Sequence, residues 1–561
     1  MANYRWLKTN KKIKWQSSNN DKGQSSPAAS QKTPQKKLEL QYNENVISHL
    51  EKNISFMQNL LGANHDFVIR RFRIFGETPA AVMFFKEFVD HDQVNKDILR
   101  ALMYLPRQLA DKEIHIWKLK DIIVNDVLYH SDTQLEGRLG PVVEALAGGK
   151  TAVFVEGIGE AFLIDTRNVE KRSITQPETE QVVRGPREGF IESLKVNLSL
   201  LRYRLQTPDF RVKMMPIGRI TRSKVAVCFI EGIANPELVA EVERRLSKID
   251  VDGILGSGYL EQYIEDNSLS PFPQIQNTER PDKTVANLLE GRVAILVDGS
   301  PFAIIVPTVF SQFYQTVEDY EERFLLMSFI RTFRLLALIF SLIFPSLYVS
   351  IISFNPELIP TEFVVAVAGG RSGVPFPSII EVMVMEIAME VLREATVRLP
   401  QQVGGALSIV GVLVVGQAAV SAGFASPITV VVIALTTIGS FAIPAYNAAL
   451  ALRLLRFPLL VLAGMFGLYG VMVGLILVIN HVLSLRSFGV PYLSPVVPAN
   501  LQGMKDTFFR FPFRLMNKRP GFLFPSDKVR VSQETMENQK QMPNQPLNGK
   551  RAAQGRNGGR Q

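Results

Sequence analysis

This 561-residue chain has only one cysteine, and it has three long stretches without any charged residue. Its one cysteine, Cys228, has no partner in the chain, which excludes an internal disulfide framework and a cysteine-rich zinc site. No Asp, Glu, Lys or Arg occurs in Leu335–Phe354, between Arg398 and Arg453, or in Phe457–Leu485. Uncharged apolar runs of this length reach or exceed the ~20 residues that cross a bilayer. A wholly soluble protein is therefore excluded.

The N-terminal region also lacks the apolar core of a secretory signal, so we expect no cleavable signal peptide. The net charge is +9, and most of the excess lies at the two ends, in residues 1–40 and in Lys505–Arg519. These basic ends have no aromatic stacking platform or DNA-binding motif beside them, so they do not indicate nucleic acid. Attraction to anionic lipid and the retention of basic residues on the cytoplasmic side explain them better.

Composition and periodicity divide the chain into five parts. We predict an α/β N-terminal soluble region of two similar tandem lobes, followed by an α-helical multi-span membrane domain. Both ends of the chain are polar and without apolar periodicity, which indicates disorder. The predicted parts are a disordered basic tail (1–42), a first lobe with a linking helix (43–207), a second lobe (208–330), a membrane domain (331–485) and a cytoplasmic tail (486–561) that is disordered from about residue 520.

An internal duplication is the basis for predicting two lobes. Val143–Gly157 aligns with Val285–Gly299 without a gap, and Ala81–Leu102 aligns with Val225–Leu246. Each copy of the first pair predicts a helix, a strand, an acidic-Gly hairpin turn and a second strand. Two tandem lobes leave a cleft that can hold a ligand or partner. A duplicated structural platform without a ligand is the alternative, and the sequence leaves both open.

The membrane domain is predicted to contain four spans and an amphipathic or re-entrant segment at 356–398. The spans are about Leu335–Phe354, Val403–Phe424, Ile428–Leu450 and Phe457–Val482. Four spans place both termini in the cytoplasm, as the basic flanks require. Arg453 and Arg456 would then face outward, which counts against this number. An extra crossing by the segment 356–398 would change the parity.

Helix Ser378–Arg398 carries the most informative side chains of this domain. A helical period places one group on a single face: Glu386, Glu390, Arg393 and Glu394. Glu381 points to the other side. A carboxylate stripe beside membrane spans can serve as a cation vestibule. The alternative is an interfacial amphipathic helix whose polar face meets water and lipid headgroups.

Two further sets of residues suggest movement and packing. Pro345 within the first span and the glycines Gly369, Gly370 and Gly373 are candidate hinges. Small residues along the second span favour close helix packing, and a pore lining is the alternative. The candidates for either role are Gly404, Gly411, Gly416 and Gln417. No spacing of His, Ser or acidic residues indicates catalysis or a metal, so we expect neither an enzyme nor a cofactor.

Several long motifs run through residues 43–515. They include Gly185–Phe190, Glu290–Phe302, Pro356–Thr361, Arg371–Pro377, Arg393–Pro400 and Gly416–Val420. Through these motifs the chain resembles the A subunits of the GerA-type spore germinant receptors of endospore-forming Gram-positive bacteria.

The resemblance implies a multi-pass protein of the spore inner membrane with a cytoplasmic N-terminal region. It implies assembly with a permease-like B subunit and a lipoprotein C subunit, and nutrient-triggered germination in which the germinant binds largely through B. It further implies that copies of the A subunit form a channel for monovalent cations in membrane lipid. Alternatives are an auxiliary conductor similar to the stage V sporulation AF protein, a transporter or exchanger, and a non-conducting scaffold.

Overall fold

The computed structural model describes residues 44–104, 116–128, 132–168, 176–397 and 415–531, together with residue 535. Two antiparallel sheets come first, and a group of apolar helices follows. A last segment returns from the helices to the second sheet. The N-terminal part is therefore α/β and the C-terminal part is helical, as the sequence predicts.

The first lobe is a five-stranded antiparallel sheet in the order β1-β2-β4-β5-β3. Its strands are β1 (Phe67–Ile74), β2 (Thr78–Phe85), β3 (Gln134–Glu136), β4 (Lys150–Val155) and β5 (Ala161–Asp165). Residues of β2 alternate between two apolar cores, so helices cover both faces of the sheet. These helices are α1 (Leu50–Leu61) and α4 (Leu139–Ala147) on one face, and α2 (91–103) and α3 (Ile116–Ile122, continued by the π-helical Ile123–Val127) on the other.

The second lobe has a sheet in the order β6-β7-β9-β10-β8. Its strands are β6 (Phe210–Ile217), β7 (Ser223–Ile230), β8 (Gln276–Thr278), β9 (Val293–Val297) and β10 (Ala303–Val306). Its helices are α5 (Leu194–Arg204) and α8 (Pro281–Glu290) on one face, and α6 (Pro236–Ser247) and α7 (Ser257–Ile264) on the other. The strand order repeats that of the first lobe, strand for strand.

The aligned sequence repeats occupy equivalent elements of the two sheets. Val143–Gly157 contains the end of α4, all of β4 and a hairpin turn, and Val285–Gly299 contains the end of α8, all of β9 and a hairpin turn. The turn glycines Gly157 and Gly299 have φ angles of 86° and 85°, which glycine adopts without steric strain. The hairpins therefore form where the acidic-Gly pairs predict them.

Side chains fill the contact between the two lobes, where the sequence suggests a cleft. Arg202 of α5 is 1% exposed and donates to both carboxylate oxygens of Asp66 at 2.6 and 2.7 Å. Its guanidinium also lies 3.9 Å from the centre of the Phe85 ring. The amide of His65 donates to the carbonyl of Val212 in β6 at 3.1 Å. This contact favours the interpretation of the duplication as a structural platform.

The helical part follows a short helix, α9 (Glu318–Glu321). It consists of α10 (Phe324–Phe354), α11 (Thr361–Arg371), α12 (Ser378–Val397), α13 (Pro427–Phe441) and α14 (Tyr446–Ser484). Residues 415–421 are also helical. Within the described residues, α10 and α14 are long and apolar enough to cross a bilayer, whereas α13 is shorter. Length and composition alone therefore support two candidate spans rather than the predicted four.

Helix α10 runs away from the sheets, and its contacts orient the others. Its distal end contacts the start of α12 through Ser353 and Ser378. Helices α12 and α13 run back towards the sheets: Thr429 meets Tyr348 of α10 at 3.1 Å, whereas Gly439 lies beside Ala337. Helices α12 and α13 thus both lie antiparallel to α10.

Helix α14 reverses direction at Gly467, whose φ of 61° and ψ of −142° are not helical. A Cβ added at Gly470 would overlap the backbone of Leu462, and one at Gly474 would overlap the side chain of Leu459. In a straight helix Leu459 and Gly474 would lie roughly 22 Å apart. The element is therefore a hairpin of two helical legs, 446–466 and 468–484.

The helix boundaries differ from the predicted spans. Helix α10 begins at Phe324 rather than Leu335, and it continues through the candidate hinge Pro345. The predicted fourth span, Phe457–Val482, is wrong as a single crossing because the chain turns back at Gly467. Residues 403–414 of the predicted second span lie outside the described residues.

The C-terminal segment 486–531 packs against the second lobe. The hydroxyl of Ser487 donates to the carbonyl of Gln274 at 2.7 Å, and the amide of Ser526 donates to the carbonyl of Ile233 at 3.0 Å. The sequence predicts disorder from about residue 520, and the structure differs for 520–531. The physical reason is that Leu523, at 2% exposed, and the backbone of this stretch find partners far away in the sequence.

We predict that Leu459→Cys and Gly474→Cys form a disulfide in a Cys228→Ala background, because the two legs of α14 contact there. Mass spectrometry of the alkylated, proteolysed protein measures the bond. The control pair joins Leu459→Cys to Met472→Cys, since Met472 is 59% exposed and faces away from the other leg. Free thiols in both pairs would contradict the hairpin.

Candidate functional site

A buried group of charges joins the second lobe, the start of α10 and the C-terminal segment. We call it the junction cluster; it consists of Asp319, Tyr320, Arg331, Arg334 and Asp506. Asp319 is completely buried and accepts hydrogen bonds from Arg331 Nε at 2.9 Å and from Arg334 Nη2 at 3.1 Å. One carboxylate thus holds two arginines that are one helical turn apart.

Asp506 binds the other side of Arg331. Arg331 Nη1 donates to Asp506 Oδ1 at 2.8 Å, and the hydroxyl of Tyr320 donates to Asp506 Oδ2 at 2.7 Å. Burial raises the pKa of Asp506, while the charge of Arg331 acts in the opposite direction. Burial also raises the pKa of Tyr320 well above its ordinary value, so this hydroxyl stays a donor at neutral pH.

In the sequence, Arg331 and Arg334 directly precede the first predicted span, Leu335–Phe354, and can be interpreted only as its basic flank. The structure shows that they are structural partners, at 0% and 9% exposed, rather than groups facing lipid headgroups. The one sequence feature that indicates their structural role is the spacing of two arginines by one helical turn at the start of an apolar helix. Their partners could not be identified because Asp506 lies beyond the entire helical part in sequence.

Of the predicted carboxylate face, Glu386 is buried and paired. It is 6% exposed, and Arg456 Nη1 of α14 donates to its Oε2 at 3.3 Å. Within the described residues, Nε and Nη2 of Arg456 have no hydrogen-bond partner. The pair ties α12 to α14, so Glu386 is not open to solvent as a vestibule residue would be.

The other members of the predicted face lie nearer the surface. The carboxylate of Glu390 is 41% exposed and contacts Arg393 at 3.1 Å and Arg453 of α14 at 3.4 Å. Arg393 also lies 5.0 Å from the centre of the Phe441 ring. Glu394 is exposed. Both Glu390 and Glu394 line an open groove of about 600 Å³ whose other walls are apolar. Carboxylates and apolar side chains therefore lie on the same surface.

Glu381 lies on the opposite side of α12, as its position in the helix predicts. It is completely buried and accepts hydrogen bonds from Arg371 Nε at 3.3 Å and from the amide of Ser426, which precedes α13. A carboxylate at the start of a helix satisfies unpaired amides and complements the helix dipole. The sequence indicates no role for this residue, because its partners are remote along the chain.

The candidate hinges and packing residues are only partly described. Gly369 and Gly370, two of the candidate hinges, lie inside α11, which ends at Arg371. Gly373 places its carbonyl beside Gly423. Gly416 is buried against Val430, whereas Gln417 is exposed. Gly404 and Gly411 lie outside the described residues.

The fold and these sites define a class: an α/β protein with two repeated antiparallel sheets, coupled by buried charges to a group of apolar helices. A profile of the Bacillus/Clostridium GerA spore germination proteins matches residues 55–522. The chain therefore belongs to the GerA family, the A-type spore germination proteins, which is consistent with a germinant-receptor role.

Individual relatives agree with this membership. Spore germination protein KA of Bacillus subtilis (strain 168) is 42% identical, over 86% of this chain and 88% of its own. Spore germination protein GerLA of Bacillus cereus is 38% identical, over 84% and 94%. The crystal structure of the N-terminal domain of the A subunit of the Bacillus megaterium spore germinant receptor GerK3 is 32% identical. It covers 48% of this chain and 98% of its own, with a TM-score of 0.37.

We predict that Asp319→Asn lowers the stability of the protein strongly, by about 3–5 kcal/mol, since two buried arginines lose their shared charge. Melting of the detergent-purified chain and protease access to residues 309–323 measure the effect. Asp250→Asn is the matched control, because that carboxylate is 78% exposed. Equal melting of the two variants would show that the junction cluster does not hold α10.

Proposed function

We propose that this chain is the A subunit of a nutrient-sensing germinant receptor, which assembles with B and C subunits and conducts monovalent cations as a homo-oligomer. Family membership supports the receptor role. The exposed carboxylates of α12 are the observation on which conduction rests. We place the protein in the inner membrane of the spore, with both sheets in the cytoplasm.

The groove beside Glu390 and Glu394 supports an oligomer with a wet interior. Ile387, Val391 and Phe457 form its apolar walls, so this face of the bundle is suited to burial. Ionisable side chains within membrane segments generally face the interior of a helix bundle or a water-filled cavity rather than lipid. Facing lipid would be unfavourable for two neighbouring carboxylates, whereas facing other copies around a water-filled path is not. In such a ring the carboxylates attract cations, and neighbouring apolar side chains gate the path by excluding water.

The directions of the helices support several membrane crossings. Helix α10 leads away from the sheets, α12 leads back, and the chain is again at the distal end at Gly423, beside Gly373. Helix α13 leads back, and the two legs of α14 lead out and return. Each leg of α14 is roughly 25–31 Å long, close to the thickness of the hydrocarbon core. We therefore propose six passes with the sheets and the C-terminal segment on one side.

Flux through reconstituted protein tests conduction. We expect Glu390→Gln combined with Glu394→Gln to lower potassium efflux from liposomes several-fold, because the cation-attracting charge is lost. The control combines Glu357→Gln with Glu362→Gln, two exposed carboxylates near and within α11. Glu386 is left unchanged, since its removal would strand buried Arg456.

Three outcomes would contradict the proposal in different ways. Equal flux in both double variants would remove Glu390 and Glu394 from the path. Saturable exchange in place of downhill flux would indicate a transporter. Absence of flux from the unmodified chain, alone and with B and C subunits, would indicate a non-conducting scaffold.

A further inference from the structure

A surface of exposed aromatic side chains lies where the C-terminal segment passes the start of α10. Four phenylalanines and a leucine of this stretch are exposed: Phe508, Phe509, Phe511, Phe513 and Leu515. Phe509 is the most exposed of them, at 57%. Contiguous apolar side chains on a surface mark contact with a partner or a membrane. We call residues 508–515 the aromatic strip.

The aromatic strip is held on both sides, so its exposure does not come from a loose tail. Before it, the hydroxyl of Tyr314 donates to the carbonyl of Thr507 at 3.2 Å. After it, Arg519 Nε donates to the carbonyl of Leu289 in α8 at 2.8 Å. The protein therefore keeps these rings on its outside, which is unfavourable in water and favourable against an apolar phase.

Within the strip, Arg510 turns inward while its neighbours turn outward. It is 4% exposed, and its Nη1 donates to the carbonyl of Glu322 at 2.8 Å. Its backbone amide donates to Ser328 Oγ of α10 at 3.1 Å. These contacts set the strip beside the first turns of α10 and leave Phe509 and Phe511 on the outside.

The first turns of α10 continue the apolar surface towards the bilayer. Arg331 and Arg334 are buried, and the exposed side chains of residues 324–333 are all apolar: Phe324, Leu325, Leu326, Phe329, Ile330 and Phe333. Ser328 precedes Leu335, where the predicted span begins, by seven positions, or roughly 10 Å of helix. The polar layer of a bilayer is itself roughly 5–8 Å thick on each side, so the strip lies at about the level of the lipid headgroups.

Basic side chains accompany the aromatic ones. Residues 501–531 contain seven basic and two acidic side chains, and both acidic ones are paired with arginines. Arg514 and Lys518 are exposed. Apolar side chains with basic groups among them suit the cytoplasmic surface of a membrane, where anionic lipids create a negative potential. This charge, and the continuity with the outer face of α10, favour lipid over a protein partner.

We propose that the aromatic strip inserts into the cytoplasmic headgroup layer of the membrane that the helices cross, with Arg514 and Lys518 bound to anionic phospholipid. The strip begins two positions after Asp506, which binds Arg331 in the junction cluster. Lipid bound to the strip therefore acts next to the contact that holds the start of α10. This inference rests on the proposed membrane location and not on conduction.

Fluorescence quenching on the full chain tests the depth of the strip. A fluorophore is attached at Phe509→Cys in a Cys228→Ala background, and the protein is placed in nanodiscs of equal parts phosphatidylcholine and phosphatidylglycerol. The quenchers are a lipid with a nitroxide near its headgroup and iodide in the water. We expect the lipid to quench Phe509→Cys several-fold more than Ile220→Cys, and iodide to do the reverse. Ile220 is 77% exposed in the turn between β6 and β7, at the end of the sheet opposite to Val306 and the chain's exit to the helices.

Charge reversal tests the contact with anionic lipid. Arg514→Glu combined with Lys518→Glu should lower quenching of Phe509→Cys by the nitroxide lipid several-fold, and nanodiscs of phosphatidylcholine alone should do the same. The matched control combines Lys224→Glu with Lys248→Glu, two exposed basic residues of the second lobe, and should leave the quenching unchanged.

A label at Leu336→Cys, an exposed position at the start of the predicted span, separates this inference from the membrane location. Lipid quenching at Leu336→Cys without quenching at Phe509→Cys would overturn the inference alone, whereas quenching at neither would overturn both. Protection of Phe509→Cys from both quenchers would show that protein covers the strip, and would also overturn the inference. Quenching that ignores lipid charge and charge reversal would overturn the binding of anionic phospholipid.

Discussion

The carboxylate of Asp319, buried between Arg331 and Arg334, is the contact on which the arrangement of the whole chain depends. Helix α10 is 31 residues long, more than the ~20 that a bilayer requires. Its first turns therefore project from the apolar part and are held by charges from α9 and the C-terminal segment. Removing one partner of such a buried set is strongly unfavourable. The sheets and the first apolar helix are consequently bound to act as one body.

A second set of charges fixes the helices to one another. In lipid, apolar surfaces gain little from meeting each other, so packing depends on small residues and on polar contacts. Glu381 links α12 to Arg371 and to the start of α13, and Glu386 links α12 to Arg456. Glu390 and Glu394 differ because they reach a surface groove. The same helix face therefore contains both a structural carboxylate and candidates for contact with ions.

The sequence predicts features that depend on neighbouring residues, and it fails for features that depend on contacts between residues far apart along the chain. The repeated lobes were predictable because strand periodicity and acidic-Gly turns are local signals, and the carboxylate face because helical geometry is local. The pairing of Glu386 with Arg456 was not, since 70 positions separate them. The turn at Gly467 was hidden because a glycine in a long apolar run is ordinary in membrane helices. Residues 520–531 looked disordered because their partners lie in the second lobe.

The crossing proposed for α12 also answers an inconsistency in the four-span interpretation. With three spans before them, Arg453 and Arg456 would face the outside of the membrane, against the distribution of basic residues. In the structure both arginines lie within the first leg of α14, where each meets a carboxylate of α12. In the proposed topology α12 and the second leg of α14 each add a crossing. Two added crossings leave the parity unchanged, so the sheets and the C-terminal segment, which touch each other, stay on one side. The basic flanks of the spans and the contacts between the sheets and the C-terminal segment then require the same orientation of the chain in the membrane.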